Sequence, residues 1–350
     1  MVPWRRSGTF SEGFSGLRRT SDKDAGRPDP LKHFKLMQRQ QEGRTSINQS
    51  ILNLINCILG AGVLGYPYCF KSCGYVLATC MMLVSLLACR FSFQLLLYCC
   101  QLSPKRSLEE LVEQALGTVG RKVVEVCTAA LNMGALVAYL NILADVLSSV
   151  AGTIIPPGAE PSRSVYLAGV TICGAFPVAM IVRDHKVVAA FSTASVGLVV
   201  LFAVVIVVFA ITPATGALAL SATHSWRPNG LLVSFPVMAY GFTAHPYYLG
   251  IYQNMQTASF KRMSNVTDTA MAFTAALYWL VGMFGYLTFR SRTAGDLLRN
   301  FGAANVGGAR GGYERAIKLC YGLSILGSVP LVILPFYNLV LPLLGYEALW

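Results

Sequence analysis

Charge is scarce in this chain. Asp, Glu, Lys and Arg make up 13% of its 350 residues, and only 16 residues are acidic. Soluble domains carry about a quarter charged residues, so this composition excludes an ordinary soluble fold. Histidine is rarer still, with four in the whole chain. None stands at a metal-ligand spacing from Cys57, Cys69, Cys73, Cys80, Cys89, Cys99, Cys100, Cys127, Cys173 or Cys320, so no zinc site is expected. Nearly all of these cysteines lie in or beside apolar runs, where cysteine behaves as a small hydrophobe, and they indicate no redox compartment. A nucleophile with its base is missing, and so is a phosphate-binding loop. Both absences argue against an enzyme.

Long apolar runs are abundant instead. The chain is 54% hydrophobic with a mean hydropathy of +0.54. Runs of 18 or more apolar residues indicate an all-α polytopic membrane protein embedded in a lipid bilayer. The net charge of +12 does not point to nucleic acid. Ten of the 28 Lys and Arg precede the first apolar run, and most others sit in short loops. Residues 1–45 have no apolar run of the kind a signal peptide needs. They are expected to form a disordered cytosolic tail ahead of a transmembrane domain at 46–350.

Eight spans are predicted, at 51–70, 75–100, 123–150, 165–183, 187–211, 230–250, 267–289 and 316–341. With the tail cytosolic, loops 101–122, 183–186 and 251–265 are cytosolic too, and they hold Lys105, Arg106, Arg121, Lys122, Arg183, Lys186, Lys261 and Arg262. This follows the positive-inside bias. Loop 290–315 conflicts with it, since it falls outside yet holds Arg290, Arg292, Arg299, Arg310 and Arg315. The sequons at Asn48 and Asn265 lie at a membrane edge or on the cytosolic side and are not expected to carry glycans. Arg90 in the second span and Asp145 in the third are charges within apolar runs, which default to functional candidates.

The first span organises the rest. It reads ILNLINCILGAGVLGYPYCF, with Asn53, Asn56, three glycines and Pro67. Gly60-Ala61-Gly62 leaves the backbone free to unwind, and Pro67 lacks an amide donor. Freed backbone survives in a membrane only where protein or a bound solute satisfies it. A helix broken at Gly60–Gly65 is therefore expected, with close small-residue packing as the other reading. The sixth span echoes it. Gly62 precedes Pro67-Tyr68 by five residues, and Gly241 precedes Pro246-Tyr247 by five. Two interrupted helices at matching positions of two halves point to an inverted-repeat transporter with its site at the midplane.

These residues carry a family resemblance. NCILGAGVLGYPY at 56–68 resembles the first-helix motif of the amino acid/auxin permease family, nearest to its sodium-coupled neutral amino acid transporter branch. FPVMAYGFTAHPYYLGIYQNM at 235–255 resembles the sixth helix. Lys261-Arg262-Met263, GMFGYLTF at 282–289, NMGALVAYLNILADV at 132–146 and KLCYGLSILGSVPLVILPF at 318–336 also fit. The resemblance covers about residue 46 to the end. It implies a leucine-transporter-like fold of two inverted five-helix repeats plus one helix. The family has eleven spans, so the chain is expected to be truncated after about eight. Loop 212–229 is short and lacks the cysteine and the sequon that the family often has there.

The implied activity is secondary active transport of a small neutral amino acid, by alternating access around helices one and six. No organic cofactor is expected. The substrate carboxylate is assigned to amides of Gly60, Ala61 and Gly62, and the ammonium to carbonyls at Ala239 to Phe242. Tyr240 or Phe242 closes over the substrate. A sodium ion as coupling ion is assigned to Asn56 and Ser328, with Ser324 as fallback. Proton coupling is the alternative. The fifth span, with Phe191-Ser192-Thr193-Ala194-Ser195 and no internal Lys or Arg, leans toward sodium. His245 is expected either to carry a proton or to cap the broken helix. The competing functions are a non-transporting amino acid sensor or receptor and an inactive fragment of a longer transporter. The expected location is the plasma membrane or a lysosomal or vacuolar membrane.

Overall fold

The computed structural model describes residues 45–103, 105, 107–152, 155, 161–175, 177, 185–211, 223–301 and 309–343. The tail at 1–44, residues 212–222 of loop 212–229 and the region around Arg183 lie outside the described residues, with the expectations placed on them. Among the described residues the chain is helical, with a single isolated bridge between Thr45 and Met255. Among the described residues five helices are long and apolar enough to cross a membrane, or six when a bent pair counts as one span. The polytopic membrane class follows directly.

The first span is that bent pair. Helix α1 (Ile47–Leu59) starts on Ser46, whose hydroxyl accepts the Gln49 amide. It ends at Gly60, and a 3₁₀ turn at 62–65 leads to α2 (Tyr66–Cys73), bent by 46°. Gly60 has φ 29°, which disfavours any side chain. Pro67 sits in the first turn of α2, where the missing amide costs nothing. Helix α3 (Tyr75–Leu102) follows after Gly74 at φ 81°.

Helix α4 (Leu108–Ala151) begins about four turns before the predicted third span, so loop 101–122 is largely helix. Ser107 caps it by accepting the Glu110 amide, and Gly117 at φ 75° kinks it. The predicted fourth span appears as α5 (Arg163–Gly169) and a π turn at 170–175, with the remainder undescribed. Helix α6 (His185–Ile211) is the fifth span. The predicted sixth span is two short helices, α7 (Leu231–Gly241) and α8 (His245–Asn254), separated at Phe242–Ala244. Helix α9 (Phe260–Phe289) and helix α10 (Ala309–Leu343) complete the set.

The two interrupted spans run in opposite senses. At one face Thr45 N donates to Asn254 O (2.9 Å) and Gln256 N to Thr45 O (2.9 Å), tying the start of α1 to the end of α8. At the other face Arg227 N donates to Cys73 O (2.7 Å) and Tyr75 N to His224 O (3.1 Å), tying the end of α2 to the approach to α7. Helix α9 packs along α1, α2, α3 and α6 and forms the spine of the bundle. Its small residues make this possible: a Cβ on Gly282 or Gly285 would strike Phe70 or Pro67.

The arginines of loop 290–301 also find their place. Arg299 Nη2 reaches Asp145 Oδ2 at 3.1 Å, and Arg163 Nε reaches Asp145 Oδ1 at 2.8 Å. This puts the loop on the same face as the end of α4, as the span order requires. Arg299 there fastens the loop, a structural use of positive charge that competes with the topology bias. The other intramembrane charge, Arg90, forms two bonds to Asp268, at 2.6 and 3.0 Å, and joins α3 to α9.

Candidate functional site

Breaking a helix frees the last carbonyls of the turn before the break. In a buried setting each needs a donor, and tyrosine hydroxyls supply them. Tyr278 on α9 is fully buried, and its hydroxyl lies 2.8 Å from Ile58 O, 3.4 Å from Leu59 O and 2.8 Å from Gly241 O. A phenol has one proton, so a single donor is shared by carbonyls of both breaks. Tyr321 on α10 donates to Gly60 O at 2.9 Å. Tyr66 donates to Met238 O at 3.3 Å and stacks on Tyr278 at 4.2 Å between ring centres.

The breaks themselves touch. A Cβ on Gly62 would lie 3.4 Å from Gly241 Cα, and one on Gly241 would lie 2.7 Å from Tyr66 Oη. Glycine at both positions lets the two segments approach this closely. Beside the contact is a cavity of about 30 Å³, lined by Cys57, Gly60, Ala61, Gly62, Tyr139, Tyr240, Thr243 and Tyr247 among others. That volume admits about one or two waters and is too small for an amino acid.

Of the residues assigned to a substrate, Gly60, Ala61, Gly62, Tyr240 and Gly241 therefore line one cavity. Tyr240 is exposed at its edge, whereas Phe242 is fully buried against Tyr66 and Tyr278 and is not among the lining residues. Ala239 O accepts from Thr243 Oγ1 at 3.1 Å, so its carbonyl is engaged locally.

The residues assigned to the ion also meet. Ser328 Oγ donates to Asn56 Oδ1 at 2.9 Å and approaches Ser324 O at 3.1 Å. Ser324 Oγ donates to Ser195 O on α6 at 2.9 Å. All four side chains are buried, and Asn56 Nδ2 and Ser195 Oγ lack a hydrogen-bond partner. Leaving such an atom unpaired costs about 1–3 kcal/mol, so this polar island suits a further polar occupant.

His245 occupies the first position of α8, and Ala244 is the N-cap without a side-chain bond. The imidazole does not cap: its Nε2 lies 2.9 Å from Ser92 Oγ on α3, and the ring stacks on Phe93 at 4.3 Å. Fixing to α3 replaces the local cap because the first-turn side chain points across the bundle. Next to it, Tyr247 Oη donates to Asn132 Oδ1 at 2.5 Å, linking α8 to α4.

The sequence reading missed Tyr278, Tyr321, Tyr139, Tyr247 and Asn132. A tyrosine deep in an apolar run is the signal that was available, since its hydroxyl must find a partner when buried. The identity of that partner lies some 220 residues away for Tyr278 and Ile58 and is invisible in a linear pattern.

Comparison with known proteins agrees with this architecture. The family model described as "Transmembrane amino acid transporter protein" matches residues 43–347. Among curated proteins, a Xenopus laevis protein named sodium-coupled neutral amino acid transporter 10 is 26% identical over 289 residues. The match covers 81% of this chain and 27% of that protein, so the chain spans about a quarter of its relative's length. With the matched segment running through every described helix, this chain belongs to the transmembrane amino acid transporter family.

Proposed function

We propose that this chain forms the path for a neutral amino acid through a membrane and couples its movement to sodium. The observation that carries this reading is the meeting of two broken, oppositely running helices at Gly62 and Gly241, with a buried polar island one turn away at Asn56. A zwitterion suits the breaks. Its carboxylate is held by the amides of Gly60 to Gly62, at the exposed end of a turn. Its ammonium has three donors, against the single proton of Tyr278, and takes over Ile58 O and Gly241 O. Ligand binding thus replaces a shared phenol by a better-matched donor, and the breaks rearrange around it.

Sodium is a hard cation and takes oxygen ligands. Asn56, Ser328 and Ser324 offer an amide oxygen and two hydroxyls in one buried place. Rotating the Asn56 amide would turn its oxygen toward the position where Nδ2 finds no partner. Alternating access follows the leucine-transporter-like scheme, with the broken helices moving against the remaining bundle. The relative named for sodium-coupled transport supports the same reading.

Uptake of labelled L-alanine into proteoliposomes, with and without an inward sodium gradient, tests it. Accumulation that rises with the gradient is expected. Binding without accumulation would replace transport by amino acid sensing. Accumulation driven by a pH gradient alone would replace sodium by protons.

A further inference from the structure

Helix α8 is held differently on its two sides. His245, Tyr248 and Tyr252 share one face by helical spacing, and Tyr247 projects from the opposite one. On the first face His245 Nε2 lies 2.9 Å from Ser92 Oγ, and Phe93 stacks on both His245 (4.3 Å) and Tyr248 (4.6 Å). Tyr248 Oη lies 2.8 Å from Thr267 Oγ1 on α9, with both side chains fully buried. These ties join α8 to α3 and α9. The bridge at Thr45 joins the far end of α8 to the start of α1. On the second face Tyr247 Oη donates to Asn132 Oδ1 on α4 at 2.5 Å.

The Tyr247–Asn132 bond stands at the wall of the central cavity. Tyr247 lines that cavity, and so do Leu131 and Ala135, which flank Asn132 along α4. About 10 Å of helix separates Tyr247 from Asn254 at the Thr45 face. The bond therefore lies between the cavity and that face. Asn132 is fully buried, and its Nδ2 has no hydrogen-bond partner among the described residues. The amide is half satisfied while the bond is closed, and water entering from the Thr45 face would satisfy both of its ends. A contact that leaves a buried donor unpaired gives way before the fully paired and stacked contacts on the other face of α8.

We propose that the Tyr247–Asn132 hydrogen bond is a latch that shuts the central cavity toward the Thr45 face. When it opens, α8 leaves α4 as one piece with α3, α9 and the start of α1. The proposal rests on the transport reading given above and names the residues that decide when the cavity opens to that side. Tyr247 and Asn132 are positioning residues: they set where α8 stands against α4.

Cys57 reports on the latch, because its free thiol lines the same cavity. Reaction of Cys57 with a membrane-impermeant thiosulfonate is mapped by mass spectrometry on the full chain, in intact cells and in inside-out vesicles, without added amino acid. Labelling of exposed Lys261, in the first turn of α9, shows which preparation presents the Thr45 face. Wild type should react slowly from both sides. Tyr247→Phe and Asn132→Leu, in forms that keep the wild-type elution profile, should each raise the rate at least tenfold from the Thr45 face alone. The double variant should be no faster than either single one, since both changes remove the same bond. An unchanged rate, a rise in only one single variant, a rise from the opposite face or additive rises in the double variant would overturn the latch. So would fast reaction of wild-type Cys57 from the Thr45 face. Because no amino acid is added, the outcome is separate from uptake. The latch signature without uptake would overturn the transport reading alone, and uptake without the signature would overturn the latch alone.

Discussion

The two interrupted spans are built by different chemistry. The first is written into its backbone: Gly60 adopts φ 29° and a 3₁₀ turn separates the half-helices. The second has no positive φ at its break, where Phe242, Thr243 and Ala244 are ordinary residues. It is held open by its surroundings, through Tyr66 on Met238 O, Tyr278 on Gly241 O and His245 on Ser92. Both breaks lean on tyrosine partners and on close approach at a glycine, but the first alone also depends on a backbone conformation that disfavours side chains. Tyr278 is the element common to both.

The largest effect is expected at Gly60→Ala. The added Cβ would lie 2.7 Å from Tyr139 Oη in a backbone conformation that disfavours side chains. Strain of this kind costs about 1–3 kcal/mol, and sodium-driven uptake per molecule at the membrane should fall below a tenth of wild type. Uptake that survives this change would erase the distinction between a glycine-encoded and a partner-held break.

Tyr278→Phe comes next. It keeps the packing on Tyr66 and Phe242 and removes the donor shared by both breaks. Leaving a buried carbonyl unpaired costs about 1–3 kcal/mol. Thermal stability without substrate should drop, and part of the loss should return on adding alanine, whose ammonium replaces the missing donor. A loss that alanine does not restore would make Tyr278 a packing residue alone.

Asn56→Ala separates the two breaks by their ion. Half-saturation by sodium should rise about tenfold, equivalent to about 1.4 kcal/mol, while the ranking of amino acids is retained. His245→Gln, on the other break, should leave the sodium response unchanged. A shift of the pH profile by His245→Gln with no effect of Asn56→Ala would move the coupling ion from sodium to a proton.

Gly62→Ala should be the mildest. Its Cβ would stand at ordinary contact distance, 3.4 Å from Gly241 Cα and 3.5 Å from Tyr278 Oη. Uptake within about threefold of wild type is expected, since a well-packed interior yields by a few tenths of an ångström. A loss as large as that of Gly60→Ala would show that close approach, and not φ, defines the first break.

The membrane class and both breaks were legible in the sequence because glycine, proline and long apolar runs act locally. Asn56 and Ser328 came from the resemblance, and the fold places them 2.9 Å apart across 272 positions. The early start of α4 had a local signal, since Ser107 with Glu110 three residues on is a capping pattern. Its acidic first turn resembled a loop and masked that signal. Phe242 is buried and does not line the cavity, whereas Tyr240 does, because a half-turn at the break decides which aromatic faces it. The partners of Tyr278, Arg90 and Arg299 lie on other helices, and no linear spacing encodes them.

The central claim is that the two breaks are one binding unit. Hydrogen–deuterium exchange of the amides at 58–66 and 239–246 tests it, in nanodiscs with and without alanine and sodium. The account predicts that both segments become protected together, and that Tyr278→Phe weakens protection in both. Protection of one segment without the other, or of neither at saturating alanine and sodium, would contradict it.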